Sequence, residues 1–228
     1  MYFLDADYEV FTQANSSVKS TALDKKRKAV QSKLLKVHEA VYPRLQLLGI
    51  ACHSDKRYIT SDITPNRFNG AFNSWIFVRY GRTPEEMEQF KAIGIGFPEL
   101  ADIQYGLFEG RDFCIQLFLG AKKGYDRQRL PMTMRRNRAA IEAAVGELRG
   151  YGMQWEITGL EPFSIDDAEP SAFCDWLLAN NNCEGESFLT LHYDREDPLI
   201  SEQKLTSEVI GKVRRLVPLY NLLTQRKK

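Results

Sequence analysis

Between Lys122 and Arg138 the chain carries Lys122, Lys123, Arg127, Arg129, Arg135, Arg136 and Arg138 against one carboxylate, Asp126. Guanidinium groups grip phosphate oxygens in pairs and lysine supplies a point charge, so this run predicts a surface that binds an anion. Tyr125 and Phe118 lie near enough in sequence to stack on a base if the ligand is single-stranded or flipped. The competing expectation is a solvated helix face whose cations pair with acidic residues of the same chain. A second group falls in the loop from Asp62 to Asn73 and the strand after it. There Asn69 could read a base edge, Arg67 could hold a phosphate, and Phe68, Phe72 and Trp75 offer flat apolar surfaces. Its alternative is an ordinary surface connection whose aromatics fill the core.

Catalytic patterns are thin. Asp194, Asp197 and Glu202-Gln203-Lys204 match the text of a metal-dependent nuclease, but Glu202 and Lys204 fall at a helix start, where Glu202 favours the positive end of the macrodipole. Asp166-Asp167-Ala168-Glu169 reads as a solvated loop leading into a helix. No Gly-x-Ser-x-Gly elbow is present, and His38, His53 and His192 show no serine or cysteine partner in the sequence. No Gly-x-x-x-x-Gly-Lys-(Ser/Thr) or Gly-x-Gly-x-x-Gly occurs; Gly94-Ile95-Gly96 is an isolated pair. The cysteines, Cys52, Cys114, Cys174 and Cys183, form no CxxC pair, and no histidine stands at ligand spacing, so the expectation is no metal and no cofactor.

The elements that must carry these residues follow from hydrophobic spacing. Ile103, Tyr105 and Leu107 alternate with Gln104 and Gly106, Glu109-Gly110-Arg111-Asp112 makes a polar turn, and Phe113, Ile115, Leu117 and Leu119 resume, which predicts a β-hairpin emptying into the basic run. Val30, Leu34, Val37, Val41, Leu45 and Leu48 form one helical stripe closed by Gly49. Trp75 to Tyr80 is apolar on both faces, which predicts a central strand. Thr83-Pro84-Glu85-Glu86 signals a capped helix start. Met134, Ile141, Val145 and Leu148 mark another helix, Met153, Trp155 and Ile157 a strand, Pro170 a helix stopped by Asn180-Asn181-Asn182, and Phe188 to Tyr193 a last strand. Ser201 starts a final helix, with Pro218 kinking or ending it near Leu216 to Leu223. The order predicts an α+β fold: a mostly antiparallel sheet of five to six strands with flanking helices, as an N-terminal extension (1–20) and one domain (21–228).

At 228 residues and 43% hydrophobic the chain can bury a sizeable core, and 31 Lys+Arg against 30 Asp+Glu argue against a generic basic coat. The charge is segregated: from Gly150 to Gln203 twelve carboxylates face one cation, Arg195. With no secretory leader and no apolar run near the roughly 20 residues that span a bilayer, the expected setting is cytoplasmic and the expected partners exclude a membrane.

The order of motifs resembles the N-terminal domain of McrB-type modification-dependent restriction proteins. The likeness lies in Asn69-Gly-Ala-Phe-Asn-Ser-Trp75-Ile-Phe-Val and the hairpin Tyr105-Gly-Leu-Phe108 to Ile115-Gln-Leu-Phe-Leu-Gly120 with the helix after it. Phe188-Leu-Thr-Leu-His-Tyr193 and a closing helix ending Val217-Pro-Leu-Tyr220 continue it, so that it covers residues 65–223. It implies a domain that finds modified DNA for a separate motor and nuclease. The chain departs from it in having Leu119-Gly120-Ala121 where the family has Asn-Gln-Gly, and no motor after Tyr220; no individual binding residue is carried over.

The sequence therefore reads as a non-catalytic nucleic-acid-binding protein, DNA favoured, and a subunit of a prokaryotic defence or restriction system. Lys122, Lys123, Arg127, Arg135 and Arg136 are expected on phosphate, with Arg67, Asn69 and Trp75 nearer a base. Two alternatives stand beside it: a protein–protein module, joining another subunit or a second copy through its acidic and basic faces, and a metal-dependent nuclease.

Overall fold

The computed structural model of the chain describes residues 1–51, 59–65, 69–96, 99–110 and 112–225. The elements run α1 (Asp5–Tyr8), α2 (Gln13–Ser16), α3 (Thr21–Gln46), β1 (Trp75–Tyr80), α4 (Pro84–Ala92), β2 (Asp102–Phe108), β3 (Asp112–Ala121), α5 (Tyr125–Gly146), β4 (Gln154–Ile157), β5 (Phe163–Ser164), α6 (Pro170–Ala179), β6 (Glu186–Tyr193) and α7 (Leu205–Leu223). The strands form one six-stranded antiparallel sheet in the order β1-β2-β3-β6-β4-β5, which is the expected α+β fold.

The chain divides into two compact units, one made of Met1–Tyr80, Gln104–Ile115 and His192–Gly211, the other of Gly81–Ile103, Gln116–Leu191 and Lys212–Lys228. In the first, Ser20 caps α3 by accepting from Leu23 N, and the stripe Val30, Leu34, Val37, Val41 and Leu45 is buried. Gly49, at φ +74, closes the helix in a conformation that favours glycine. The N-terminal residues pack too: Phe3 is fully buried and stacks on Phe113 at 5.8 Å between centroids. Against α3, His38 Nδ1 lies 3.0 Å from the Tyr80 hydroxyl of β1, inside a stack with Tyr42.

One reading of the strands needs correction. β1 is not central; it ends the sheet order. Ile76, Phe77, Val78 and Tyr80 are nonetheless buried because α3 packs on the strand and residues 60–61 line its outer edge, through the Thr60 and Val78 bridge and a 2.8 Å bond from Ser61 N to the Phe77 carbonyl. The polar residues of the hairpin are buried as well: Gln104 is 4% and Gln116 1% exposed, as befits interior strands. Gly106 permits a close approach between β2 and β1, since a Cβ there would sit 2.1 Å from the Ile76 carbonyl oxygen.

In the second unit, the capping box of Thr83 and Glu86 starts α4 as the sequence predicts. α5 begins at Tyr125, well before the apolar stripe from Met134, so most of the basic run is helical. The helix kinks at Asn137 (φ −126, ψ 15). β4 pairs with β6 in the register Trp155 to Leu189, and the buried Trp155 donates to Ser187 Oγ at 2.8 Å while its ring meets Phe173 of α6. Residues 161–170 contain a strand the sequence does not announce: β5 pairs Phe163 with Trp155. α7 starts at Leu205, four residues after the expected Ser201, and carries Pro218 within it before ending at Leu223.

Candidate nucleic-acid interface

The basic run sits on a helix with a firm start. Gly124 is the N-cap of α5, where a Cβ would lie 2.9 Å from the Ala121 carbonyl oxygen. Asp126, in the first turn, is buried and takes a 2.7 Å bond from Arg82 Nη2 on one oxygen and a 2.7 Å bond from Ala101 N on the other. Burial pushes its carboxyl up, while Arg82 and the Ala101 N–H pull it back.

Along this helix the cations divide into three kinds. Arg127 is wholly buried and donates to the carbonyls of Gly120 (3.3 Å), Gly185 (2.6 Å) and Cys183 (2.9 Å). It is therefore a strut holding three carbonyls, and the reading that set it on phosphate is corrected. Lys122 and Arg138 are neutralised by the acidic part of the chain. Lys122 Nζ lies 2.7 Å from Glu184, whose carboxyl the hydrogen bond from Lys122 holds below its ordinary range. Arg138 reaches Asp175 at 2.7 Å and Glu142 at 2.8 Å, and these bonds raise its pKa, the Asp175 bond most. Just beyond the helix Arg149 meets Glu169 at 3.5 Å. The segregated charges thus pair internally at several points.

The third kind is exposed. Lys123, Arg135 and Arg136 lie at the surface with no ion pair among the described residues. Arg129 is half-buried, donating to the Tyr125 hydroxyl at 3.0 Å with its guanidinium 5.0 Å from that ring's centroid. Tyr125 in turn meets Phe90 edge to face. Phe118 is buried against Phe188, so it is a core side chain and offers no stacking surface.

The loop group fares differently. Arg67 and Phe68 lie outside the described residues. Asn69 is exposed and its Oδ1 accepts from Ala71 N at 2.9 Å, a local turn in which Gly70 adopts φ +68. Phe72 is core, 6% exposed beneath the Arg27 guanidinium at 3.4 Å. Trp75 is 41% exposed at the start of β1. Asn69 and Trp75 belong to the first compact unit, the free cations of α5 to the second.

Other candidates carry less chemistry. Asp194 and Asp197 border a shallow depression of about 650 Å³ that Asp5, Asp112, Arg195 and Glu196 also line. Arg195 bonds Asp112 at 2.7 Å and Asp5 at 3.5 Å within it, and no group of three His, Cys, Asp or Glu suited to a metal occurs among the described residues. Glu202 and Lys204 are exposed in the turn before α7. One pairing is invisible in the sequence: His192 Nδ1 lies 3.4 Å from Cys114 Sγ across neighbouring strands. Cys114 is fully buried, so the contact presents no nucleophile to a substrate.

Sequence reasoning also passed over the cations of α7. Lys212 Nζ and the Arg215 guanidinium lie 4.4 and 4.3 Å from the Tyr151 ring centroid, and Arg214 is exposed beside them. Their spacing of three along an amphipathic helix was the available signal. In comparison with known proteins, the chain matches no family model and no curated protein.

Proposed function

We propose that the chain is a non-catalytic nucleic-acid-binding protein of the cytoplasm, a subunit of a prokaryotic defence or restriction system, and that it contacts the phosphate backbone of DNA through α5. The observation that carries this reading is the unequal treatment of neighbouring cations. Arg127, Lys122 and Arg138 are all satisfied by carbonyls or carboxylates of the same chain, whereas Arg135 and Arg136, consecutive and exposed, have no counter-charge among the described residues. An exposed guanidinium without a counter-charge attracts phosphate and holds it through charge-assisted hydrogen bonds. The likeness in motif order to the McrB-type domain supports DNA over other polyanions.

The test is a titration of labelled single-stranded DNA, duplex DNA and RNA at two salt concentrations, with the Arg135→Ala/Arg136→Ala variant beside the unmodified protein. The expected result is affinity that falls steeply with salt, because each neutralised phosphate releases a counterion, and a shallower dependence in the variant. Binding indifferent to salt, or none to any of the three, overturns the reading.

A further inference from the structure

α3 runs for 26 residues, from Thr21 to Gln46, and buries its apolar stripe in the core. Opposite that stripe stand Lys25, Lys28 and Lys36, all exposed. At 3.6 residues per turn, this spacing brings the three within roughly 80° of one another around the helix axis, and a rise of 1.5 Å per residue spreads them over roughly 16 Å. The side chains among them are small. Ala29 and Ser32 are exposed as well, and the Ser32 hydroxyl is turned back onto the Lys28 carbonyl at 2.9 Å.

No counter-charge answers this strip. Asp24, in the first turn, accepts from the buried Arg27 at 3.2 Å, and Lys33 on the flank of the helix is paired with Asp7. Lys25, Lys28 and Lys36 have no ion pair among the described residues, and Glu39, the next carboxylate on their side, is joined to none of them. A helix face that only meets water gains from opposite charges three or four residues apart, whereas like charges at that spacing cost stability. The apolar residues of α3 lie in the core, so the strip has nothing to insert into a lipid surface. What it matches is a linear polyanion: a strand of B-form DNA carries a phosphate every 3.4 Å or so along its axis, about five over the length of the strip.

We infer that the outer face of α3 is a second contact surface for a nucleic-acid backbone, with Lys25, Lys28 and Lys36 on its phosphates. This rests on the reading of the chain as a nucleic-acid-binding protein and adds to the α5 cations a lysine strip in the other compact unit.

The experiment measures affinity for a 12-base-pair duplex across a salt series for Lys28→Ala/Lys36→Ala, Lys28→Arg/Lys36→Arg, Arg135→Ala/Arg136→Ala and Arg44→Ala/Lys204→Ala. Arg44 and Lys204 are exposed and lie outside the strip, so their variant controls for net charge. Lys28→Ala/Lys36→Ala is expected to flatten the slope of log affinity on log salt by about 1.8 and, at 0.1 M salt, to weaken binding roughly 60-fold. The Lys28→Arg/Lys36→Arg protein should bind as the unmodified one does, and the Arg44→Ala/Lys204→Ala control should lose neither slope nor affinity, with unchanged melting temperatures throughout. If Lys28→Ala/Lys36→Ala matches that control while Arg135→Ala/Arg136→Ala weakens binding, the α3 surface is overturned and the α5 reading stands. The reverse pattern keeps the α3 surface and removes α5. If neither variant differs from the unmodified protein, or the unmodified protein does not bind, both readings fall. Equal affinity for polyglutamate of matching charge, with the same response to Lys28→Ala/Lys36→Ala, overturns the assignment to nucleic acid.

Discussion

Arg127 Nη1 donates a 2.6 Å hydrogen bond to the carbonyl of Gly185, joining the start of α5 to the residue before β6. The side chain is fully buried, and its Nη2 donates to the Cys183 carbonyl at 2.9 Å. Removing the guanidinium leaves these carbonyls without donors. Arg127→Met is therefore expected to lower unfolding free energy by about 3 kcal/mol, whereas Arg135→Ala/Arg136→Ala should stay within about 0.5 kcal/mol. Urea denaturation of both variants checks this; an Arg127→Met protein of full stability that has lost DNA binding would return Arg127 to the interface.

Gly106 and Gly211 should respond oppositely to alanine. At Gly106 the new methyl would meet the Ile76 carbonyl oxygen at 2.1 Å and the Phe77 Cα at 2.5 Å, backbone atoms that cannot turn aside. A loss of about 3 kcal/mol or more is expected. At Gly211, within α7, nothing lies within 4 Å of the added Cβ, so alanine should stabilise by about 0.8 kcal/mol through helix propensity. Melting temperatures of the two variants, moving in opposite directions, are the readout.

His38 is expected to make the fold sensitive to mild acid. Burial pushes its pKa below the ordinary 6.5, with Glu39 pulling weakly upward. The unfolded chain therefore binds a proton at higher pH than the folded one, so the histidine's contribution is complete above about pH 6.5 and is lost as pH falls through the lower folded value. The loss cannot exceed about 1.4 kcal/mol per pH unit. His38→Gln, which keeps a hydrogen-bonding group beside Tyr80, should flatten the fall in stability between pH 7 and pH 5; an unchanged slope would assign it to other groups.

Much of the fold is legible in the residues. The α3 stripe from Val30 to Leu45 and the Thr83 capping box rest on local signals that the structure keeps, whereas Leu48, counted in that stripe, lies beyond the helix and is 42% exposed. The misreadings come from tertiary cover. β1 looked central because sequence records burial but not its cause, and here residues 60–61 and α3 supply it. β5 was missed because its two residues gain strand character only by pairing with β4. At the candidate site, composition located the cations but could not sort them. Arg127 and Arg135 are the same residue type on one helix, and only the positions of Gly120, Cys183 and Gly185 make one a strut and leave the other in water. The Cys114 and His192 contact, 78 residues apart in sequence, had no linear signature.

The Arg82 and Asp126 pair at the head of α5 has a consequence for handling the protein. Both side chains are almost entirely shielded from water, 3% and 2% exposed, so dissolved ions cannot come between them. The outer cations of the same helix are open to such ions. A concentrated salt wash should thus strip a bound polyanion while the seating of α5 persists, and dilution should restore binding without refolding. On the proposed reading the helix would act as a reusable clasp, released by ionic strength and anchored by a charge that ionic strength does not reach.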